Sequence, residues 1–346
     1  MLAFGSFSPL QQRETRNRTQ GRRVAHSVSV RAKIERVDRF QQRNRVIGFL
    51  FATNKKYSDD QGGYLAAIIA YYGFFSIFPL LLVFTTILGY VLHGHPKAEH
   101  AVVNSALGQF PIIGPQLAHG HLTGSAIALV VGLVGALWAG MGVFLAAQSA
   151  MNSLWGVPFR KRPNFVSQRL GALALLAVLG GGALATSLLS GLGTFGAKYG
   201  IVWKVGSIAL ATGLNFLLFW GAFRFLTSKD VPWSCLRGGA IAAAIAYQVL
   251  QALGGYYIGH VVKSASNTYG TFALVIGLLT WIYLSAHILL LAAEGNVVAA
   301  RHLYPRTLLS TSPPTDADKR AFRQRAAVEE RRPHEQIDVD FETKAH

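Results

Sequence analysis

Six apolar segments, each long enough to cross a lipid bilayer, constrain this chain more than any other feature. A spanning helix needs about 20 mainly apolar residues, because each residue rises about 1.5 Å across a hydrocarbon core of about 30 Å. Residues 64–92, 124–147, 170–192, 205–226, 235–258 and 271–293 meet that requirement. They contain isolated polar residues but no strand-like alternation, which argues against a β-barrel. The fold class is therefore read as all-α: a polytopic membrane protein, a six-transmembrane-helix bundle with polar tails. The membrane domain is placed at 35–304, between a basic tail over 1–34 and a charged tail over 305–346, both expected to be disordered.

Loop charge sets the orientation. Arg36, Arg39, Arg43, Arg45, Lys55 and Lys56 precede the first segment; Arg160, Lys161, Arg162 and Arg169 lie between the second and third. Arg224, Lys229 and Arg237 flank the short fourth turn, and Arg301 and Arg306 follow the last segment. The other loops hold only Lys97, Lys198, Lys204 and Lys263. Alternation across all six segments predicts that both termini are cytoplasmic. The net charge of +17 is thus explained by topology and by anionic headgroups at the cytoplasmic face, and no nucleic-acid partner is expected. Membrane lipids are the expected partners, and a homo-oligomer is compatible with the sequence. Residues 2–10 are too short and lack the basic lead of a secretory signal, so the first span is expected to direct insertion. Segment 34–57 mixes basic and apolar residues, either as an interfacial amphipathic helix or as an ordinary basic flank.

Polar residues inside the spans are the candidate site. Thr280, His287 and Glu294 recur every seven residues in the last segment and are joined on that face by Tyr283. Ionisable groups in a membrane are costly and face the bundle interior or water, so Glu294 is read either as part of a polar path or as a headgroup-level carboxylate paired with Arg301 or another flanking cation. Gln248 shares a face of the fifth segment with Arg237, Gln251 and Gly255, and Asn215 lies mid-span in the fourth. Such amides serve as interhelical hydrogen-bond glue or line a cavity. The first segment carries Tyr71, Tyr72, Ser76 and Pro79, and the proline predicts a kink. Gly132, Ala136 and Gly140, with Gly135 and Ala139 beside them, make small-residue ridges suited to close helix packing.

No metal site is expected. His93, His95, His100, His119 and His121 cluster in the first outer loop with Glu99, but no Asp or Cys completes a ligand set. Cys235 is the lone cysteine, which excludes an intrachain disulfide. No cofactor is expected either: there is no phosphate-binding Gly-x-x-x-x-Gly-Lys loop and no serine nucleophile elbow.

Three stretches carry a resemblance: LAAIIAYYGFFSIFPLLLVF (65–84), AMNSLWGVPFRKRPNFVSQRL (150–170) and YGTFALVIGLLTWIYLSAHILLLAAEGN (269–296). In order and spacing the chain resembles the YihY/virulence factor BrkB family over residues 35–304, a family formerly labelled ribonuclease BN-like. The resemblance implies a six-helix bacterial inner-membrane protein of the cell envelope. It points to Tyr71, Tyr72, Ser76, Pro79, Asn152, Trp155, Tyr269, Gly270, Trp281 and Glu294. His287 departs from the family pattern, where small or apolar residues are common.

The expected function is transport or lipid translocation, passive or gradient-driven, with the substrate unknown and no enzymatic activity. The alternative is a non-transporting envelope-integrity scaffold acting through its tails. A ribonuclease, as the old label suggests, ranks last. A zinc-dependent RNA hydrolase needs a His-x-His-x-Asp-His cluster in a soluble fold, whereas HGHPKAEH (93–100) has the wrong spacing and no Asp.

Overall fold

The computed structural model describes residues 34–91, 126–175, 200–227, 231–257, 271–308 and 313–341. Among these residues the regular structure is helical, without strands. The elements are α1 (34–43), α2 (Arg45–Asp59), α3 (Gly62–Val91), α4 (Ala126–Leu154), α5 (165–175), α6 (Gly200–Leu226), α7 (Arg237–Tyr257), α8 (Thr271–Ala300) and α9 (Asp316–Ala327). Five of the described segments are long and apolar enough to cross a membrane: Gly62–Pro79, Val130–Leu154, Ala209–Leu226, Trp233–Gly254 and Val275–Ala300. α5 opens the third predicted span, and the rest of 170–192 lies outside the described residues.

α3 packs most extensively against α4, and α8 lies among α2, α3 and α7, with α6 beside α7. The small-residue ridge explains the first contact. Gly132, Ala136 and Gly140 are buried on α4. Pro79 sits 3.1 Å from where a side chain on Gly135 would begin, and the Tyr72 ring covers Gly142. Without a hydrophobic drive between helices in lipid, such backbone-close contacts supply the dispersion energy of association. α3 runs through Pro79 as one helix to Val91. The outward faces are apolar, with Ile127, Trp138 and Phe272 among the most exposed side chains, as lipid contact requires.

One end of the bundle gathers the charged segments. The α4 terminus is a left-handed cap: Gly156 has φ +66°, Val157 N–H donates to the Asn152 carbonyl at 2.8 Å, and Gly156 N–H to that of Ser153 at 3.0 Å. Glycine tolerates that backbone, and the pattern satisfies carbonyls a helix end leaves free. Trp155 is buried at the turn. Arg162 reaches back to Ser153, Trp220 at the end of α6 donates to the Trp233 carbonyl, and α8 ends against the start of α7. α4, α6 and α8 thus end where α3, α5 and α7 begin. The described N-terminal and C-terminal segments also meet there: Gln41 donates to the Arg306 carbonyl at 2.6 Å.

The sequence expectation of a disordered C-terminal tail from 305 is corrected here. Residues 313–341 fold against the charged end, with α9 started by a reciprocal capping box between Thr315 and Asp318. Asp318 is buried and bonded to Arg306 at 2.9 Å, and Arg160 pairs with Glu330 at 2.9 Å. Composition predicted disorder because the segment has little apolar surface to bury; ion pairs to distant parts of the chain, Asp318 with Lys55 and Glu330 with Arg160, replace that surface. Segment 34–57 resolves into two helices broken at Asn44, whose side chain caps α2 through the Val46 and Ile47 amides.

Candidate functional site

α8 and α2 together build a buried ion cluster. Glu294 is 0% exposed, and its Oε2 lies 3.1 Å from the Lys56 ammonium of α2. That approach is off the hydrogen-bond direction, so neither Glu294 oxygen has a hydrogen-bond partner among the described residues. Lys56 also pairs with Asp60, one turn on, and donates to the Leu154 carbonyl at 2.8 Å. The last of these places a cation at a helix C-terminus, where the dipole favours it. One ammonium therefore faces two carboxylates. Burial alone would depress the Lys56 pKa, but Glu294 and Asp60 outweigh burial and hold it above its ordinary value.

A second polar contact adjoins the first. The Tyr57 hydroxyl meets His287 Nδ1 at 2.7 Å, and the rings are edge to face with centroids 4.7 Å apart. Burial pushes the Tyr57 phenol up, so it stays protonated at neutral pH. Tyr283 tilts against His287 at 5.9 Å. Tyr283, His287 and Glu294 thus share one line facing α2 and α3, as their spacing predicts. Glu294 pairs with Lys56 rather than Arg301.

Other candidates fall elsewhere. Thr280 is exposed and its hydroxyl donates to the Ile276 carbonyl of its own helix at 2.7 Å, so it does not join the line. The drift of about 20° per seven-residue step is too small to turn Thr280 away; it lies two turns beyond His287, further from α2, where its side chain is exposed. Tyr71 is exposed and lies edge-on to Tyr72 and tilted against Phe75, outside the interior route expected of it. Ser76 is buried but bonds back to the Gly73 carbonyl at 2.7 Å. Tyr72 and Pro79 serve the α3–α4 contact. Asn215 and Gln248 are half-buried on α6 and α7 and are not bonded to the cluster. Asn152 and Trp155 form the α4 cap, and the Trp281 ring lies over Gly254 of α7. Tyr269, Gly270 and the histidines of the first outer loop lie outside the described residues. Among the described residues no group of three His, Cys, Asp or Glu could hold a metal.

Sequence reasoning missed Lys56, Asp60 and Tyr57 as site residues. Lys56 is the unnamed flanking cation of the alternative reading of Glu294, and by number the sequence marks it only as an orientation charge; Asp60 one turn on is a usable signal for it. It also missed Asn296. That buried amide accepts from the Gly239 amide at 2.5 Å and donates to the Leu236 carbonyl at 3.1 Å, capping α7 from the neighbouring helix. A side chain on Gly239 would strike the Ala292 carbonyl and Asn296. Gly239→Ala is therefore expected to cost about 1–3 kcal/mol through overpacking. Asn296→Ala is expected to cost a similar amount, about 1–3 kcal/mol, through unpaired backbone groups. Thermal denaturation of the detergent-solubilised protein measures both, and an unchanged midpoint for both would refute the clamp.

The family model for virulence factor BrkB matches residues 53–315. The chain belongs to the virulence factor BrkB family. The matched region contains Lys56, Asp60, His287 and Glu294, and ends at the residue that caps α9. The inner membrane protein YhjD of Escherichia coli is 25% identical over 86% of this chain and 93% of its own length. YfkH of Bacillus subtilis, named as ribonuclease-like, is 23% identical over 73% of this chain and 95% of its own. The UPF0761 membrane protein RSc1559 of Ralstonia nicotianae is 30% identical over 47% of this chain and 37% of its own. No solved structure matches significantly. With its apolar helices, this BrkB-family chain is a multi-pass integral protein of the inner membrane.

Proposed function

We propose that this BrkB-family protein moves a polar solute or a lipid headgroup across the cytoplasmic membrane, passively or driven by a gradient, and performs no covalent chemistry. The observation that supports this reading is the Lys56–Glu294–Asp60 cluster, buried beside the Tyr57–His287 contact where α2, α3 and α8 meet. Ionisable groups are kept at such cost in membrane proteins chiefly along substrate and ion paths. The charged end is then the cytoplasmic side, as loop charge predicts.

Proteoliposomes containing fluorescent phospholipid and an impermeant quencher test the lipid form of this reading. Wild-type protein is expected to expose inner-leaflet lipid, and Glu294→Gln to slow that exposure, since the amide keeps the shape of the side chain and removes its ability to ionise beside Lys56. If wild-type and empty vesicles behave alike, unassisted lipid movement is excluded. A scaffold role then gains ground, favoured by the folded C-terminal segment at the charged end.

A further inference from the structure

The α1–α2 elbow turns its polar side inward and its apolar side outward. On α1, Asp38 and Gln41 are buried: Gln41 donates to Asp38 at 3.0 Å and to the Arg306 carbonyl, and Asp38 accepts the Leu308 amide at 3.0 Å. Val37 and Phe40 point away, 58% and 63% exposed. On α2 the inner face is Gly48, Ala52 and Lys56, while Val46 and Leu50 are 67% and 61% exposed. A helix pair surrounded by water would sort the other way, with the amide and carboxylate outside. Arg36, Arg39, Arg43 and Arg45 flank the apolar side chains and are all exposed.

We infer that the elbow lies in the headgroup layer of an anionic bilayer, with Val37, Phe40, Val46 and Leu50 inserted at the acyl boundary and the four arginines against lipid phosphates. Charge complementarity selects the anionic surface: a basic amphipathic helix gains both from buried apolar area and from acidic lipid. Continuity with the spans selects the bilayer over a soluble partner. Only Asp60 and Gln61 separate α2 from α3, so the elbow is held at the level where the first span begins. The attachment does not depend on transport. It gives α2 an outer face set by lipid and an inner face that carries Lys56.

The lone cysteine makes the test direct. Full-length protein carrying Cys235→Ser and either Phe40→Cys or Leu50→Cys is labelled with a small fluorophore. A third protein carries Cys235→Ser with Gln336→Cys, at an exposed site on the C-terminal segment. Each is reconstituted with phosphatidylglycerol and phosphatidylcholine, with or without lipid spin-labelled high on the acyl chain. Labels at 40 and 50 are expected to be quenched by the spin-labelled lipid and shielded from aqueous iodide, with the reverse at 336. Replacing Arg36, Arg39, Arg43 and Arg45 by Gln is expected to weaken attachment by about fivefold per arginine, and pure phosphatidylcholine to do likewise. Iodide quenching at 40 and 50 equal to that at 336 overturns the inference. Protection from both quenchers also overturns it, since a second copy of the chain or another protein would then cover the face. Lipid quenching that ignores both the arginine substitutions and the lipid charge overturns the anionic preference.

Discussion

Asp318→Ala is expected to release the C-terminal segment from the charged end of the bundle. The Asp318 carboxylate accepts from Arg306 Nε at 2.9 Å, the Thr307 amide at 3.0 Å and the Thr315 hydroxyl at 2.8 Å, and pairs with Lys55 at 3.3 Å. Its loss leaves Arg306 buried with Asp59, at 2.8 Å, as its remaining carboxylate, and removes the half of the α9 capping box that the Asp318 side chain supplies to the Thr315 amide. Breaking a buried pair from one side costs about 3–5 kcal/mol. Limited proteolysis of the reconstituted protein should cut after residue 308 much faster in the variant than in wild type; equal rates would show that Asp318 does not hold the segment. Acid should act on the same group. Burial would raise the Asp318 pKa, but the Thr307 amide, Arg306, Thr315 and Lys55 together outweigh burial and hold it well below the usual carboxylate range. A depressed carboxylate contributes stability that is whole above its unfolded pKa of about 4 and fades as pH falls toward the folded value. Docking should therefore be insensitive to pH near neutrality and weaken only below pH about 4.

Lys56→Met is expected to destabilise the bundle by a similar amount, about 3–5 kcal/mol, for the opposite reason. It leaves Glu294 and Asp60 without their shared cation and the Leu154 carbonyl without one of its donors. The double variant Lys56→Met with Glu294→Gln should recover part of the loss, because the amide cannot carry the charge that Lys56 no longer balances. A double-mutant cycle on thermal midpoints measures the coupling, which for groups in contact runs about 0.5–3 kcal/mol. Simple additivity of the two substitutions would show that Lys56 and Glu294 do not stabilise one another.

The spans were legible because a bilayer imposes a length and a polarity that few other environments demand. Glu294 was legible for the same reason: a carboxylate in an apolar helix stands out. Its partner was legible only as an unspecified flanking cation, because Lys56 belongs to a basic run whose topological meaning already accounted for it. The α4 cap was visible as an Asn-Ser-Leu-Trp-Gly turn, yet its contact with α9 was not, since Gln324 reaches the Leu154 carbonyl across a long stretch of sequence. The tail defies its composition because composition weighs apolar area, whereas Asp318 in α9 and Glu330 beyond it hold the segment through Lys55 and Arg160. Its local start signal, Thr315 followed three residues later by Asp318, was present in the sequence. Thr280 and Tyr71 show the converse: residue type and spacing suggested an interior position, and the tertiary packing left both outside.

The pairing of α2 with α8 has a consequence for biogenesis. A ribosome delivers Lys56 and Asp60 with the earliest of these helices, whereas Glu294 arrives only with the last. Until then the ammonium has only Asp60 and, once α4 is made, the Leu154 carbonyl as partners. The inner face of α2 therefore closes only once α8, the last of the spans, is in place, so that span acts as the keystone of assembly. A nascent chain stalled before residue 294 should leave that face open to quality-control proteases.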